Sequence, residues 1–352
     1  MRYLLAALLA LHGLLHLLGL QWGKAVGLVW ALAALALVSA TALLLAGVDR
    51  WWMVAAGALV FSQALIVSAW STARAGTFLN LALALPVVLA ATAARFEHQS
   101  AAARAQLLSS LPVAPPVVVT TGELDRLPPP VRRWLVAAGV VGRERAQVVR
   151  LRQRGELRTG ADQPWMHAEA EQVFNVDEPG FVWTVSLTMK GLPVSGRDSY
   201  HEGRGQMLVA VGGLLPVVDA RGPEIDQGTM LRYLGEIIWF PSAALAPYLR
   251  WEAIDERSAR ATMTWRGVEA SGVFVFDAED RPVNMIARRY MSTGTTTSLE
   301  RWEVPAQAWE RRGGVLMPVK GTATWKLGAG DLEYYRWEIP DVRYNHDALE
   351  AP

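Results

Sequence analysis

The first 95 residues of this chain are almost continuously apolar, and this run constrains the fold more than any other feature. The few charged residues ahead of Arg95 lie between long apolar segments: Arg2, Lys24, Asp49, Arg50 and Arg74. A bilayer core about 30 Å thick needs about 20 apolar residues per helical span. Four segments approach that length, so the sequence predicts a transmembrane domain over residues 1–95, with spans at about 3–20, 25–46, 51–71 and 77–95.

The breaks between the predicted spans are short and suit the headgroup region of a bilayer. Tryptophans fall at these breaks, as an aromatic belt predicts: Trp22, Trp51, Trp52 and Trp70. A secretory signal peptide is the alternative for residues 1–20, because a basic residue precedes the first apolar stretch. No small-x-small cleavage site follows before Lys24, so we favour a membrane span.

Basic residues near the span ends predict the orientation. They divide four to two between the sides of the predicted bundle: Arg2, Arg50, Arg95 and Arg104 against Lys24 and Arg74. Cytoplasmic loops carry an excess of Lys and Arg. We therefore expect a multi-pass protein of the cell membrane with both termini and the C-terminal domain in the cytoplasm, and the exported side is the alternative.

Composition excludes several classes of function. The chain has no cysteine, which rules out disulfides and thiolate metal sites. Its net charge of +1 argues against a nucleic-acid partner, because phosphate binding needs clustered basic residues. The densest basic run, at 143–158, alternates with apolar and acidic residues and predicts a strand with a charged solvent face. We expect neither a cofactor nor a nucleic-acid partner.

The remainder of the chain has a different pattern. Residues 96–122 form a predicted linker, because the proline-rich stretch at 109–116 cannot continue a helix. The predicted soluble domain, 123–347, begins with a helix around Trp134 and then changes to a period of two. Some ten short alternating segments predict an antiparallel β domain, a curled sheet or half-barrel with a few covering helices.

One helical segment, at 223–249, interrupts the predicted strands. Apolar residues recur in it at helical spacing, and the sequence Trp239-Phe240-Pro241-Ser242 predicts a kink before a second short helix at 243–249. Placed in the curl of the sheet, this segment would bury its apolar face. The same pattern is compatible with a solid core and with an apolar cavity.

Four segments together resemble an uncharacterised bacterial family of four-span membrane proteins: 12–19, 135–142, 216–223 and 239–242. The resemblance covers nearly the whole chain, but the family carries no established activity and implies no catalytic residues. In architecture, the β domain also resembles the lipoprotein-carrier (LolA/LolB-like) half-barrel. That resemblance implies a curved sheet that is covered by helices and shelters acyl chains, and a shared fold does not by itself assign a function.

Two histidines within the first span are candidate functional residues, because ionisable groups inside a membrane are expensive to bury. His12 and His16 lie one helical turn apart and could bind a metal or haem, or relay a proton. The plainer interpretation is that they are neutral anchors that hydrogen-bond across the bundle. No acidic residue lies inside a predicted span, and we predict no metal site beyond these two candidates.

Polar residues of the β domain also have a functional and a structural interpretation. His167, Glu169 and Glu171 share one face of a strand and could coordinate a metal, yet the apolar alternation around them favours a solvent-facing edge. Asp219 lies in a strand-to-helix connection that we interpret as structural. Glu236 has apolar neighbours and is the carboxylate of most interest, although its helix favours a surface position for it.

Ten of the fifteen tryptophans follow residue 96, and such aromatic surface suits either a lipid-lined cavity or an ordinary core. We expect a domain that binds a lipid or another hydrophobic molecule at the bilayer surface, against Trp183, Trp239, Phe240 and Glu236. One alternative is an enzyme acting on a membrane-embedded substrate, although no known nucleophile motif occurs. The other is a structural or sensory protein that binds a protein partner and has a solid β domain.

Overall fold

The computed structural model describes residues 2–111, 116–293 and 296–350. The central part of the predicted proline-rich stop, residues 112–115, lies outside the described residues. The chain divides into two compact units. The first, the helical unit, comprises residues 1–98 with 212–214, and the second, the β domain, comprises 99–211 and 215–352.

The helical unit is built from long apolar helices. Its elements are α1 (Arg2–His16), a 3₁₀ turn (Leu17–Trp22), α2 (Lys24–Ala46), α3 (Trp51–Ser68), the single turn α4 (Trp70–Ala73) and α5 (Gly76–Leu108). In the described residues, four helical segments are long and apolar enough to cross a membrane: Arg2–Trp22, Lys24–Ala46, Trp51–Ser68 and Gly76–Leu108. The last extends beyond the predicted span because the alanine-rich residues 101–105 favour helix.

Small residues allow the helices of this unit to approach closely. A Cβ on Gly19 would lie 2.5 Å from the Cγ of Trp30, and one on Gly13 would lie 3.1 Å from the backbone oxygen of Ala34. The buried core consists mainly of leucine and alanine, with Leu9 and Leu37 fully enclosed. Many outward positions of these helices are also apolar, as expected of a surface that faces hydrocarbon rather than water.

The β domain begins with a 3₁₀ turn (Thr121–Arg126) and α6 (Pro129–Ala138). Proline at the first helical positions suits the start of α6, and Gly139 ends it in the left-handed conformation, at a φ of 76°. Later come α7 (Pro223–Glu236), two 3₁₀ segments (Ile237–Trp239 and Pro241–Leu245) and α8 (Asn345–Leu349). The predicted second short helix at 243–249 is a 3₁₀ segment that begins and ends earlier, at Pro241 and Leu245, and residue 249 already belongs to a strand.

Fourteen strands in the described residues form the sheet, more than the ten or so predicted. They are β1 (Val148–Leu157), β2 (Met166–Asn175), β3 (Gly180–Met189), β4 (Leu192–His201), β5 (Arg204–Val211), β6 (Leu215–Ala220), β7 (Leu249–Asp255), β8 (Ser258–Trp265), β9 (Val268–Phe276), β10 (Pro282–Thr293), β11 (Thr296–Glu303), β12 (Ala306–Arg312), β13 (Val315–Leu327) and β14 (Gly330–Tyr344).

Thirteen of these strands follow one antiparallel path, β6-β5-β4-β3-β2-β1-β14-β13-β11-β10-β9-β8-β7, and β12 pairs with β13 beside it. The sheet is curled, because the β4–β5 turn meets the β8–β9 turn although seven strands separate β4 from β9 along the path. A Cβ on Gly203 would lie 2.8 Å from the Cβ of Arg266. The curled antiparallel sheet with covering helices confirms the predicted fold class.

The core of the β domain lies between the sheet and the helices that cover it. Trp134 of α6 packs on Phe274 of β9, with ring centroids 6.1 Å apart. Phe174 of β2 packs on Phe240, which lies between the two 3₁₀ segments, at 4.7 Å. Aromatic and apolar side chains from both halves of the path therefore share one hydrophobic core.

Candidate functional site

Three polar side chains occupy inward positions on neighbouring strands of the β domain. Gln153 of β1, Gln172 of β2 and Asp198 of β4 are all buried. Strand β3 lies between β2 and β4, and its Trp183 pairs in register with Gln172 of β2 and with Asp198 of β4. The register therefore places a row of polar groups across an otherwise apolar face of the sheet.

Two charged residues of α7 complete this polar row. Arg232 and Glu236 lie one helical turn apart, and Arg232 Nε donates to Glu236 Oε1 at 2.8 Å. Arg232 NH1 donates to Asp198 Oδ2 at 2.6 Å. Gln172 Nε2 donates to Glu236 Oε2 at 2.7 Å, and Gln153 Nε2 donates to Gln172 Oε1 at 2.9 Å. We call these five residues the Arg232 cluster.

Aromatic side chains enclose the Arg232 cluster. The guanidinium carbon of Arg232 lies 4.6 Å from the ring centroid of Trp183 and 5.1 Å from that of Phe181. Trp183 Nε1 and the Tyr335 hydroxyl both donate to Gln153 Oε1, at 3.1 and 2.7 Å. A guanidinium that lies over an aromatic ring is attracted by the ring quadrupole, and this attraction is stronger when the guanidinium is desolvated. Hydrogen bonds and ring contacts from neighbouring side chains thus hold the cluster.

Burial shifts the protonation equilibria of this cluster. It raises the pKa of Glu236, although Arg232 and the amide of Gln172 act in the opposite direction. Burial alone would lower the pKa of Arg232, but the carboxylates of Glu236 and Asp198 raise it well above its ordinary value. With two carboxylates and one guanidinium, the fully ionised cluster carries one uncompensated negative charge, which favours a proton on Glu236.

The surface position expected for Glu236 was wrong, because only 12% of its side chain is exposed. The helical face that carries Glu236 also carries Arg232, and this face packs against the sheet. A buried carboxylate is tolerated there because a cation lies one turn away and an amide donates to its second oxygen.

The other two predicted ligand contacts lie in and after the first 3₁₀ segment. Trp239 packs edge-on against Trp337, with ring centroids 5.2 Å apart. Phe240 lies against Phe174 and Tyr233, with centroids at 4.7 and 5.8 Å. All four predicted ligand-binding residues, Trp183, Trp239, Phe240 and Glu236, are therefore enclosed by other side chains of one core.

A groove of about 1030 Å³ opens beside this core. Its lining includes Phe240 but not Trp183, Trp239 or Glu236. Buried apolar residues form much of its inner wall: Val140, Ala146, Phe240, Val315 and Val342. The lining also includes charged residues of both signs: Arg143, Glu144, Arg343, Asp347 and Glu350. The accessible surface of the groove is therefore mostly polar, and its apolar side chains lie largely buried in the wall.

The remaining polar candidates of the β domain are not gathered at one place. His167, Glu169 and Asp219 are exposed on strands, whereas Glu236 is enclosed in the core. Asp219 accepts a hydrogen bond from Gln206 at 2.8 Å and pairs with Arg221 at 3.5 Å. Within the described residues, no three His, Asp or Glu side chains are grouped closely enough to hold a metal ion. An acid–base pair that would include Glu236 is not assembled from these residues.

The two histidines of the helical unit lie in a buried polar cluster of their own. His12 Nε2 lies 2.7 Å from Asn80 Oδ1 and 3.2 Å from Ser62 Oγ. Asn80 Nδ2 donates to Gln63 Oε1 at 3.0 Å, and His16 Nδ1 lies 2.9 Å from the backbone oxygen of His12. Polar side chains of α1, α3 and α5 therefore meet inside the bundle.

Sequence reasoning missed Arg232, Asp198 and Gln172, although signals for them exist. Gln153 follows Val149 and Leu151 in the inward register, and a glutamine in that phase indicates a buried polar partner. Arg232 and Glu236 have the spacing of a helical ion pair. The pattern alone does not reveal that these two features meet, because α7 begins more than sixty residues after β1 ends.

The family comparison matches a segment that belongs almost entirely to the β domain. Residues 117–337 match the model of a family of unknown function, DUF6544. No curated protein matches the chain.

Solved structures with similar backbones have low sequence identity. A putative outer membrane lipoprotein-sorting protein domain from Vibrio parahaemolyticus is 10% identical over 56% of this chain and 86% of its own, with a TM-score of 0.35. A LolA superfamily protein from Nitrosomonas europaea is 12% identical over 67% and 96%, with a TM-score of 0.33. A DUF1329 family protein from Desulfovibrio piger is 10% identical over 65% and 95%, with a TM-score of 0.36.

Proposed function

This chain belongs to DUF6544, a family of unknown function, and we propose that its β domain binds a lipid or another hydrophobic molecule in the groove beside Phe240. The observation that carries the proposal is the groove itself. Its volume of about 1030 Å³ is at the upper end of the range of small-molecule sites. The polar lining would hold the polar end of a molecule, and the buried apolar side chains in the wall would meet its apolar body.

Phe240 would be the aromatic contact nearest the ligand, although it is only 1% exposed and would meet the ligand after a small shift of its neighbours. It forms part of the groove wall and also packs on Phe174 and Tyr233 behind that wall. An acyl chain laid against the groove wall would gain about 25 cal/mol per Å² of apolar surface removed from water. Trp183, Trp239 and Glu236 belong to the layer behind Phe240 in this proposal, and they would reach the ligand only if the 3₁₀ segments shifted.

The helical unit would keep this binding domain near its lipid supply. Its four helices are long and apolar enough to cross a bilayer. We propose a multi-pass cell-membrane protein whose C-terminal domain faces the cytoplasm, because four of the six basic residues near span ends fall on the side of the termini. A reporter fused after Pro352 should behave as cytoplasmic, and a reporter that behaves as exported would reverse the orientation.

Native mass spectrometry of the full-length protein, purified in mild detergent, tests the proposed ligand. We expect a stoichiometric adduct, and extraction of the same sample should identify its lipid or other apolar class. A clean apo mass under conditions that preserve added lipid on a known carrier contradicts the proposal. It would favour the alternative of a solid domain that binds a protein partner.

A pair of matched variants locates the site. Phe240→Ala should abolish or strongly reduce the adduct, because it removes the aromatic wall of the groove. Phe274→Ala is the control, since Phe274 is equally buried but packs on Trp134 and Trp251. Both substitutions should destabilise the domain by about 3–5 kcal/mol. Equal loss of ligand in the two variants would mean that stability, and not the groove wall, controls retention.

A further inference from the structure

The hairpin of β5 and β6 has an apolar end that the proposed groove does not use. The consecutive residues from Met207 to Val218 include no charged or polar side chain. A strand with one face in a core and the other in water alternates apolar and polar residues instead. Polar residues lie only at the other end of the hairpin: Arg204, Gln206, Asp219 and Arg221. Toward its turn, the hairpin is therefore apolar on both faces.

Large apolar side chains at this end of the hairpin are exposed. Leu214 and Leu215 are 60% and 63% exposed, and Val217, on the same face of β6 as Leu215, is 52% exposed. A contiguous exposed apolar patch marks contact with a membrane or with another protein, whereas scattered apolar residues need no such explanation. The β5–β6 hairpin therefore requires an occupant for its apolar end.

The turn of this hairpin belongs to the helical unit, because residues 212–214 fall in the same compact unit as the long helices. The Thr92 hydroxyl of α5 lies 2.5 Å from the backbone oxygen of Gly212, the shortest of its three possible hydrogen bonds. A Cβ on Gly213 would lie 2.8 Å from the backbone of Thr92, and one on Gly212 would lie 2.5 Å from Leu89 Cδ2. Two glycines with positive φ thus let the turn lie directly on α5.

The contact with α5 sets the depth of the turn. From its start at Gly76, α5 has no charged residue before Arg95. Leu89 and Thr92 precede Arg95 by about 9 and about 4.5 Å along the helix, at a rise of about 1.5 Å per residue. An arginine near the end of a span extends its guanidinium to the headgroups. The turn therefore lies on the hydrocarbon side of Arg95 when α5 spans a bilayer.

We propose that the apolar end of the β5–β6 hairpin enters the bilayer, at the boundary between headgroups and acyl chains, and contacts lipid through Leu214, Leu215 and Val217. Leucine and valine are favourable in that medium, whereas in water their exposed surface is a cost. The hairpin then attaches β5 and β6 to the bilayer independently of the linker that follows α5. No ligand in the groove is needed, so this inference does not depend on lipid binding by the β domain.

The backbone of the hairpin suits a shallow position. Val211 and Leu215 pair across the turn, and the Thr92 hydroxyl can donate to the Gly212 oxygen, so these groups do not depend on water. In the described residues, β6 is the last strand at one end of the path. The outer backbone groups of an edge strand need water or headgroups as partners. The hairpin therefore fits the boundary region and not the centre of the bilayer.

A second protein chain is the other possible occupant, and two observations favour the bilayer. Pro216 of β6 has no backbone N–H, and proline on an edge strand opposes the addition of another strand. Leu85 and Val88 are exposed and share a face of α5 with Thr92 by helical spacing. The turn thus lies beside an apolar helix surface that suits hydrocarbon, and its own apolar residues extend that surface.

The chain has no cysteine, so a single introduced thiol can carry a fluorophore that responds to its environment. The test uses full-length Leu214→Cys, labelled and reconstituted as one chain per lipid nanodisc. We expect blue-shifted emission, most of which is lost when the lipids carry a spin label near the top of the acyl chain. Leu85→Cys on α5 is the positive control. Ile254→Cys is the matched control, because Ile254 is also exposed and apolar but lies beside Asp255 and Glu256, and it should emit as in water.

Val217→Cys is the second variant and decides the test if Leu214→Cys does not fold, which far-UV circular dichroism checks. Water-like emission at the hairpin, with quenching at Leu85→Cys, overturns the proposal and leaves the span of α5 in place. Blue-shifted emission that the spin-labelled lipid does not quench also overturns it, because protein then covers the hairpin. Equal quenching at Ile254→Cys overturns it as well, since the fluorophore itself would then be entering the bilayer.

Discussion

The helical unit and the β domain both bury hydrogen-bonded polar clusters, but in the described residues the cluster of the helical unit is neutral and that of the β domain is ionic. His12, Ser62 and Asn80 meet in the first, whereas Arg232 bridges Asp198 and Glu236 in the second. The difference teaches that the surroundings set which polar groups can be enclosed. A charge inside a bilayer-facing bundle has low-dielectric surroundings on all sides, so neutral groups are selected.

The outer surfaces of the two units also differ in polarity. Leu35 and Leu85 are 62% and 64% exposed on helices that suit a bilayer. The β domain instead pairs charges across its exterior, as between Arg250 and Glu252. An exposed apolar side chain is favourable only where the solvent is hydrocarbon. The predictions below test this contrast.

The largest effect should come from Arg232→Met. Loss of the guanidinium leaves the buried carboxylates of Asp198 and Glu236 without a cation, which typically costs about 3–5 kcal/mol of folding stability. Denaturant unfolding followed by tryptophan fluorescence measures the change. Arg250→Met is the control because its ion pair is exposed, and it should change stability by less than about 0.5 kcal/mol. Similar effects of the two would mean that the buried cluster is not a coupled ionic unit.

The next largest effect should come from Leu35→Lys, at the centre of α2. A lysine there would face the bilayer core and should raise the insertion free energy by about 2.5–3.5 kcal/mol. Carbonate extraction of membranes measures the integrated fraction. Ile254→Lys places the same charge at an exposed apolar position of β7 and should be tolerated. A tolerated Leu35→Lys would contradict a lipid-facing α2.

A smaller effect is expected from Ser62→Ala in the neutral cluster. Hydrogen bonds between membrane helices average about 0.6 kcal/mol, because the unfolded helices find other partners in the membrane. Unfolding of the full-length protein in mixed micelles of increasing SDS content measures it. Ser68→Ala is the control, since that exposed hydroxyl donates to a backbone oxygen within its own helix. A loss as large as that of Arg232→Met would remove the energetic contrast between the clusters.

The smallest effect should be a change in how steeply the folding stability varies with pH. Burial raises the pKa of Glu236 in the folded protein, so the folded state holds a proton that the unfolded state has released. This contribution to stability is complete below the ordinary glutamate value of 4.5 and is lost as pH rises through the raised folded value. Glu236→Gln should remove that fall in stability, as measured by denaturant unfolding at a series of pH values. Exposed Glu269→Gln should retain it, and an unchanged profile in Glu236→Gln would mean that Glu236 ionises normally.

The sequence predicted the architecture well because the features involved are periodic. Apolar length identified the four helices, and alternation identified the antiparallel sheet. The sequence did not locate the buried ions, since Arg232 lies 34 residues from Asp198 and 60 from Gln172. Nor did it predict burial for Glu236. Helical periodicity shows which face of a helix carries a polar residue, but it does not show which polar groups of the sheet pack against that face.

The amino-acid sequence by itself determined that four helices are apolar enough to cross a membrane and which class of element each unit has, because transfer free energy depends on composition and spacing along the chain. Only the tertiary structure decided which polar groups meet. The packing of β1 to β4 with α7 assembled the Arg232 cluster, and the packing of α1 with α3 and α5 brought His12 to Ser62 and Asn80. Hydrogen bonds and ion pairs act only over a few ångströms, so the fold must first bring distant residues together.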